Sequence, residues 1–383
     1  MIIDTITIVA CILIILSVVV SVLANPFVRE IFSKDSNTDT STDIDKLPKI
    51  SVLVLANNNA EALDAHLSVI LTQDYAPGFE VIVVGENGDI ATETVIKQYS
   101  HAHNLYATYI PAHSLFMSKK KLAVALGVKA AHNEWIVMIN SDCCPSSDLW
   151  LTSIANHMKD DSNLVIGYSN FNENTANMSR FERLRNDCYI FRFARKSTAY
   201  RSNGTNIAFR RSEFISQDGY RGNLQHVGGE YDFIINKFAR PNQTQIATER
   251  NAWILEDKPS YKSMYDRNIS YAHVRRFLNR SLSMRAIFNT DMFLLHFNYI
   301  FLIAGLTYSI LMNKWLILSC AVVGLIATLI FRTIIAKKVC QKYDIKISLW
   351  QPICYELALL WHIFVIRINY ERADKRDFTT HKL

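Results

Sequence analysis

Long apolar segments constrain this chain more than any other feature of its sequence. Residues 5–24, TITIVACILIILSVVVSVLA, form a run of 20 residues without a charged side chain. At about 1.5 Å per helical residue, such a run crosses a hydrocarbon core of about 30 Å. Two further runs, 292–312 and 315–331, are separated only by Asn313 and Lys314. They predict a membrane hairpin, so the chain combines a membrane part with a domain between its apolar segments.

A cleaved signal peptide is the alternative for the first run, because Val22 and Ala24 resemble a cleavage site. The residues before the run lack Lys and Arg and include Asp4. The run also exceeds the roughly 7–15 apolar residues of a signal peptide. We therefore interpret residues 1–27 as an amino-terminal transmembrane helix.

Basic residues predict how the chain crosses the membrane. Arg29 and Lys34 follow the first helix, and the positive-inside rule then places the amino terminus outside and the next domain in the cytoplasm. The end of the second hairpin segment is also followed by basic residues, namely Arg332, Lys337, Lys338, Lys342 and Lys346. Both signals predict a multi-pass protein of the inner (cytoplasmic) membrane.

The carboxyl-terminal region is less clear-cut. We assign the hairpin to residues 286–335 and a membrane-associated helix with a basic tail to residues 336–383. Its apolar run, 348–366, contains Pro352, Glu356 and His362. This run is compatible with spanning the membrane or lying in its interface.

Charge and cysteine content limit the classes of binding partner and of cysteine site that the chain can have. The net charge of +6 is concentrated at 267–285 and 332–376, beside the membrane segments, which favours anionic lipids as partners and argues against nucleic acid. The seven cysteines lack the paired spacing of a disulfide scaffold or a zinc site. The sequence leaves the oligomeric state open.

A polar linker, residues 28–47, precedes a domain that we assign to residues 48–285. In its first part, β-branched runs at 50–56, 79–85, 105–110 and 134–139 alternate with helical stretches at 60–73, 90–101 and 119–132. This alternation predicts an α/β domain with a mainly parallel sheet.

Polar residues follow several of the predicted strands, where the ligand crevice of an open α/β sheet lies. They are Asn57, Asn58, Asn59, Glu86, Asn87 and Asp142. Each of them could instead make a turn or cap a helix. If the ligand is a nucleotide diphosphate sugar, Asp142 is suited to hold Mg²⁺ or Mn²⁺, because hard cations prefer oxygen ligands.

Four ordered motifs resemble family-2 glycosyltransferases. PKISVLVLANNNAEALDAHLSVILTQDYAPGFEVIVVGEN is similar to their nucleotide-binding start, and KKLAVALGVKAAHNEWIVMINSDCCP to the segment that ends in Asp-x-Asp. SNGTNIAFRRSEF (202–214) resembles their acceptor-side loop, and GGEYDF (228–233) their acidic motif. The resemblance covers about residues 48–285 and implies a GT-A fold with transmembrane helices at both ends.

On the donor side, the resemblance implies that Glu86 contacts the nucleoside, with Asn57 and Asn59 nearby. Asn59 replaces a usual Glu. Lys120 or Lys121 matches a lysine near the diphosphate. Asn140 replaces the first Asp of Asp-x-Asp, which leaves Asp142 as the metal ligand.

On the acceptor side, the resemblance implies that Gly204 and Asn206 bind the acceptor and that a carboxylate of the acidic motif is the catalytic base. Tyr231 occupies the usual second acidic position, so the base is Glu230 or Asp232. These two lie about 200° apart on a helix and cannot both face the sugar.

The Gln-x-x-Arg-Trp string of processive members is absent, and DRNISY (266–271) is the nearest candidate. Arg267 and Arg275 could bind the diphosphate or lipid phosphates. The resulting hypothesis is a membrane-bound, inverting glycosyltransferase that moves a sugar from a nucleotide-diphosphate donor to a lipid-linked or saccharide acceptor. A catalytically silent assembly subunit of a polysaccharide or glycolipid complex is the alternative, because acidic groups are missing at Asn59, Asn140 and Tyr231.

Overall fold

The computed structural model describes residues 4–33, 46–56, 59–111 and 118–379. These residues divide into two compact units. One comprises the chain up to Ser33 together with Arg280–Phe364, and the other comprises Lys34–Asn279 together with Val365–Leu383. The boundary between Phe364 and Val365 falls inside residues 336–383, the predicted membrane-associated helix with its basic tail.

The described residues of the second unit form two β-sheets. Its strands are β1 Ile50–Leu55, β2 Phe79–Glu86, β3 Leu105–Ile110, β4 Trp135–Asn140, β5 Cys143–Pro145, β6 Leu164–Gly167, β7 Ser169–Phe171, β8 Ile207–Arg210, β9 Thr244–Ala247 and β10 Ile254–Glu256. The larger sheet has the order β3-β2-β1-β4-β8-β6-β9, and the smaller one β5-β10-β7. In the larger sheet β8 runs antiparallel to both β4 and β6, and the other pairs are parallel.

The helices of this unit are α3 Ala60–Leu71, α4 Ile90–Gln98, α5 Lys119–Ala130, α6 Trp150–Ala155, α7 Asn177–Lys196, α8 Arg211–Ser216, α9 Glu230–Phe238 and α10 Tyr261–Val274. A 3₁₀ turn, Arg250–Ala252, precedes β10, and another, Lys375–Phe378, follows the last helix. The predicted mainly parallel α/β fold is confirmed. The predicted helices extend two or three residues too far, since α3 ends at Leu71, α4 at Gln98 and α5 at Ala130.

Continuous apolar strands produce the core of this unit. All six residues of β1 are buried, as are the first five of β4. Strands buried on both faces are typical of parallel sheets covered by helices. Leu63, Leu67 and Ile70 of α3 recur at helical spacing and pack into the same core. This packing fixes the carboxyl ends of β1 and β4 side by side, with Leu55 opposite Asn140.

The first unit is built from α1 Thr5–Ala24, α2 Pro26–Ile31, α11 Leu282–Leu311, α12 Trp315–Lys342 and the part of α13 up to Phe364, where α13 as a whole is Gln351–Arg372. Four helices in the described residues, α1, α11, α12 and α13, are long and apolar enough to cross a membrane. Many of their large apolar side chains are exposed, such as Ile12, Ile300 and Val323. Such surfaces are compatible with lipid contact.

A buried ion pair joins three helices inside this unit. Arg332 of α12 binds Glu356 of α13 through Nε and Nη2, at 2.7 and 3.0 Å. It also donates to the carbonyl of Ser21 at the end of α1, at 2.6 Å. Asn25 donates to the Glu356 carboxylate at 3.0 Å. Because both charges are satisfied internally, the pair is compatible with a low-dielectric surrounding.

We expect the Arg332→Met variant to lose about 3–5 kcal/mol of stability, because it leaves the Glu356 carboxylate buried without its partner. The double variant Arg332→Met/Glu356→Leu should recover most of this loss, since it removes both charges. Thermal unfolding of the purified protein in detergent micelles measures both. Equal stability of the single and the double variant would contradict this role of the pair.

Candidate active site

The carboxyl end of β4 leads directly into the loop that carries Asp142. The amide of Ser141 donates to the carbonyl of Leu55 at 3.2 Å, which continues the pairing of β1 and β4 by one residue. The amide of Asp257 then donates to the carbonyl of Asp142 at 2.9 Å. The backbone of Asp142 is therefore held between the large sheet and the end of β10.

The side chain of Asp142 is half-buried among charged groups. Burial raises the pKa of its carboxyl, and the nearby Glu256 carboxylate raises it further. Arg267 and Lys120 act in the opposite direction. Asp142 thus lies where both negative and positive groups converge, and a bound cation would favour its ionised form.

Glu256, the last residue of β10, anchors this neighbourhood. Its carboxylate accepts from Arg183 of α7 at 2.7 Å and from Arg267 of α10 at 3.0 Å. Burial alone would raise the pKa of Glu256, but the two guanidinium groups hold it at about 2. The Arg183 guanidinium also lies 4.4 Å from the centre of the Phe171 ring. This arginine pair explains why a carboxylate can be buried beside Asp142.

The acidic motif forms the first turn of α9, and its three polar side chains point in different directions. Glu230 lies 3.7 Å from the ammonium of Lys120. Tyr231 donates its hydroxyl hydrogen to Oδ1 of Asn140, at the end of β4. Asp232 accepts from the amide of Ser202 at 3.2 Å and lies 3.7 Å from Nε of Arg201. The motif is therefore joined to the strand end through Tyr231.

The Tyr231 phenol is poorly suited to be a base. Burial raises its pKa well above the ordinary value, and the negative charges of Glu230 and Asp142 add to this effect. Burial likewise raises the pKa of Asp232. The side chain of Asp232 contacts the Ser202 amide and the Arg201 guanidinium, whereas Glu230 lies beside Lys120 of α5. This orientation separates the two candidate bases that sequence alone could not distinguish.

Three consecutive lysines begin α5 and have three different partners. Lys119 forms a salt bridge with Glu86. Lys120 is about half exposed and lies beside Glu230. Lys121 is fully buried and donates to the carbonyls of Asn223 and His226. Burial lowers the pKa of Lys121 to about 8. Of the two lysines considered for the diphosphate, Lys120 is the accessible one.

The nucleoside side of the predicted site is described only in part. Asn57 lies outside the described residues. Asn59 is the N-cap of α3, but its side chain makes no capping hydrogen bond. Glu86 ends β2, and one of its carboxylate oxygens is buried without a hydrogen-bond partner among the described residues.

The 202–206 loop contains Gly204 and Asn206, the two residues predicted to bind the acceptor. Asn206 is 1% exposed and donates to the carbonyls of Tyr168 and Ala252 at 2.8 and 2.7 Å. Its Oδ1 accepts from the indole of Trp150 at 3.2 Å. These three hydrogen bonds hold the Asn206 side chain inside the domain, and its contact with an acceptor stays a prediction.

Gly204 packs against the arginine cluster. A Cβ at this position would lie 2.4 Å from Oγ of Ser169 and 2.6 Å from Nη2 of Arg183. A larger residue would therefore displace the Arg183 guanidinium. The geometry gives Gly204 a role in supporting the Glu256 cluster.

The two arginines predicted to bind phosphate groups, one in α10 and one directly after it, lie in different environments. Arg267 is bound to Glu256, with part of its side chain exposed. Arg275 is exposed at the end of α10. Sequence reasoning missed Arg183 and Glu256 altogether. Two sequence signals were available. Arg183 lies between apolar residues of α7, and Glu256 is an acidic residue at the end of the apolar strand β10.

The donor set around Asp142 fits a divalent cation that arrives with its own ligands. The described part of the chain contains no group of three or more His, Cys, Asp or Glu side chains placed to hold a metal ion. Asp142 offers one carboxylate next to two cationic side chains, Lys120 and Arg267. Mg²⁺ is commonly bound through one or two carboxylates plus phosphate oxygens and water. A diphosphate would also balance the two cations.

Comparison with known proteins agrees with this fold. The mannosyltransferase PcManGT from Pyrobaculum calidifontis, solved with GDP-Man and Mn²⁺, is similar over 84% of this chain and 98% of its own, at 14% identity and a TM-score of 0.51. TarS 1–349 from S. aureus with UDP-GlcNAc aligns over 82% and 92% of the two chains, at 14% identity, and its TM-score of 0.43 supports no further argument. No curated protein matches the chain.

The fold is that of the GT-A glycosyltransferases, and the chain is a glycosyltransferase. Its residues 51–216 match the family model described as Glycosyl transferase family 2 and form a domain of that family. The matched residues include Asp142 and end before the acidic motif of α9. The resemblance inferred from the sequence motifs is confirmed.

The Glu256→Gln variant should lose about 3–5 kcal/mol of stability at neutral pH, because it leaves two guanidinium groups without a buried partner. The folded-state pKa of about 2 lies below the ordinary 4.5. The Glu256 contribution is therefore present above pH 4.5 and is lost as the pH falls towards 2.

Urea unfolding of the detergent-purified protein as a function of pH measures this prediction. The wild type should lose stability over the acidic range, and the difference from the Gln variant should shrink there. A difference between the two proteins that does not change with pH would show that the arginines do not hold this carboxylate ionised.

Proposed function

We propose that the protein is an inverting glycosyltransferase that moves a sugar from a nucleotide-diphosphate donor to a lipid-linked or saccharide acceptor at the cytoplasmic face of the membrane, using Mg²⁺ or Mn²⁺. The hydrogen bond from Tyr231 to Asn140 carries this proposal. It joins the acidic motif of α9 to the strand end that leads to Asp142. The carboxylates needed for the donor and for the acceptor therefore border one edge of the sheet.

The donor would bind along this edge. Glu86 at the end of β2 would contact the nucleoside. Asn57 and Asn59, which follow β1 in the sequence, would lie nearby. Lys120 would contact the diphosphate, because its ammonium is accessible and lies next to Glu230. PcManGT was solved with GDP-Man and Mn²⁺, which supports a similar pairing of donor and cation here.

Asp142 would hold the divalent cation, which supplies electrostatic stabilisation of the departing diphosphate. Arg267 would add positive charge to the same region, although Glu256 balances part of it. Because burial raises the pKa of Asp142, protons compete with the cation to a higher pH than at an exposed aspartate.

Glu230 would be the catalytic base. The acceptor hydroxyl oxygen attacks the anomeric carbon while the bond from that carbon to the diphosphate oxygen breaks, and the electron pair leaves with the diphosphate. Glu230 takes the hydroxyl proton, and attack from the opposite face inverts the centre. Lys120, 3.7 Å from the Glu230 carboxylate, would orient it.

The second candidate function is a binding or assembly subunit that transfers no sugar. The observation in its favour is that Tyr231 and Asn140 satisfy each other, while Arg267 is bound to Glu256. Donor hydrolysis by the isolated protein distinguishes the two functions. A rate above the buffer background supports the transferase, and donor binding without any turnover supports the subunit.

Asp142→Ala should lower kcat/KM by about 10²–10³-fold, as is typical for loss of one transition-state electrostatic contact. It should also remove the Mn²⁺-dependent part of the thermal stabilisation by GDP- and UDP-sugars. Asp148→Ala is the matched control, since Asp148 is an exposed acid six residues further along the chain. Equal activity of the Asp142 variant and this control would exclude Asp142 from the mechanism.

Glu230→Gln should lower kcat by about 10²–10⁴-fold, because the general base is lost, while donor affinity stays nearly constant. Asp232→Asn should instead lower the unfolding temperature, since it weakens the contact with Arg201, and should change kcat little. Steady-state kinetics and thermal unfolding of both variants test the assignment. The opposite pattern would make Asp232 the base.

A further inference from the structure

The end of α13 and the residues that follow it lie against the loop that precedes the acidic motif. We refer to residues 370–378 as the carboxyl-terminal clamp and to residues 223–229 as the acidic-motif loop. The amide of Val227 donates to the carbonyl of Phe378 at 2.9 Å. Val227 lies three residues before Glu230 in the chain. The clamp therefore holds the backbone of the acidic-motif loop close to Glu230, the proposed base.

The clamp is itself fixed on α10. The Phe378 ring stacks on His273, with ring centres 4.9 Å apart and planes at 17°. The Tyr370 hydroxyl accepts from Arg276 at 3.2 Å. Tyr370 also packs with the buried Ile269 and Ala272, and Phe378 packs against the same cluster. These contacts make the clamp an ordered part of the domain.

The acidic-motif loop is held from two further sides. Lys121 of α5 donates to the carbonyls of Asn223 and His226. The His226 ring lies between Phe233 of α9 and Phe277, with ring centres 5.6 and 4.0 Å away. Gly229 has a φ of +81°, and a Cβ there would lie 2.6 Å from Cγ1 of Val274. The loop thus fits tightly between α5, α10 and the clamp.

Through the acidic-motif loop, the clamp is connected to both members of the ion pair between Glu230 and Lys120. Lys120 and Lys121 are neighbours on α5, so the lysine that faces Glu230 is adjacent to the one that holds the loop. Glu230 begins α9 directly after the loop. A shift of the loop would therefore change the distance between Glu230 and Lys120.

We propose that the carboxyl-terminal clamp positions Glu230, with Phe378 as the positioning residue that acts through the backbone bond to Val227. This inference rests on the proposed role of Glu230 as base. The clamp does not contact the Asp142 side of the site in the described contacts, so loss of Phe378 should affect turnover and leave donor binding intact.

The test compares Phe378→Ala, Phe378→Tyr and the control Tyr261→Ala in the full-length protein in detergent. Tyr261 is an aromatic residue at the start of α10 and is 88% exposed. We expect Phe378→Ala to lower kcat at least about tenfold, to change donor-induced thermal stabilisation little, and to accelerate hydrogen exchange at the Val227 amide. Phe378→Tyr should restore both properties, because the ring stack is kept, and Tyr261→Ala should match the wild type.

Three results would overturn the proposal. Unchanged hydrogen exchange in residues 223–233 of Phe378→Ala would show that the clamp does not hold the loop. Faster exchange with unchanged kcat would show that the held position does not matter for catalysis. A parallel loss of kcat and of donor-induced stabilisation would indicate general destabilisation. If the wild type itself shows no turnover, the proposed function fails, and the inference fails with it.

Discussion

The buried contact of Glu256 with Arg183 and Arg267 supports the rest of the candidate site. It joins β10, α7 and α10 directly beside Asp142. The backbone of Asp257 continues this connection by donating to Asp142. Without the two guanidinium groups, a second carboxylate would lie unbalanced near Asp142, and the mutual repulsion would keep one of the two protonated. If Asp142 holds a cation as proposed, the arginines keep the neighbouring Glu256 carboxylate from competing for it.

Much of the fold follows from the sequence pattern. The strands of the parallel part are mostly continuous apolar runs, so their bounds can be predicted from the sequence. Because the strands are parallel, the polar residues that follow them are expected at one edge of the sheet. Asp142 and Glu86 could be identified in this way. The smaller sheet and the reversed strand β8 could not, because three- and four-residue strands lack a recognisable period. The arginine contacts to Glu256 join residues that are 73 and 11 positions apart, and no local pattern reports them.

The acidic motif shows the same limit of sequence-based prediction at the level of single side chains. The sequence placed Glu230 and Asp232 on one short helix and predicted that they diverge. It could not show which of them faces the donor side, because that depends on Lys120 and Arg201 from distant segments. Asn206 is the instructive case. Its place in the motif suggested a ligand contact, but three hydrogen bonds to Tyr168, Ala252 and Trp150 use its side chain inside the domain.

The central claim is that Asp142 and Glu230 border one donor site. An experimental structure of the protein with a nucleotide-diphosphate sugar and Mn²⁺ tests it most directly, with the anomalous signal of manganese locating the ion. The account predicts manganese at the Asp142 carboxylate, the diphosphate next to Lys120, and the anomeric carbon on the side of Glu230. Manganese bound elsewhere, or a donor whose sugar lies away from Glu230, would contradict it.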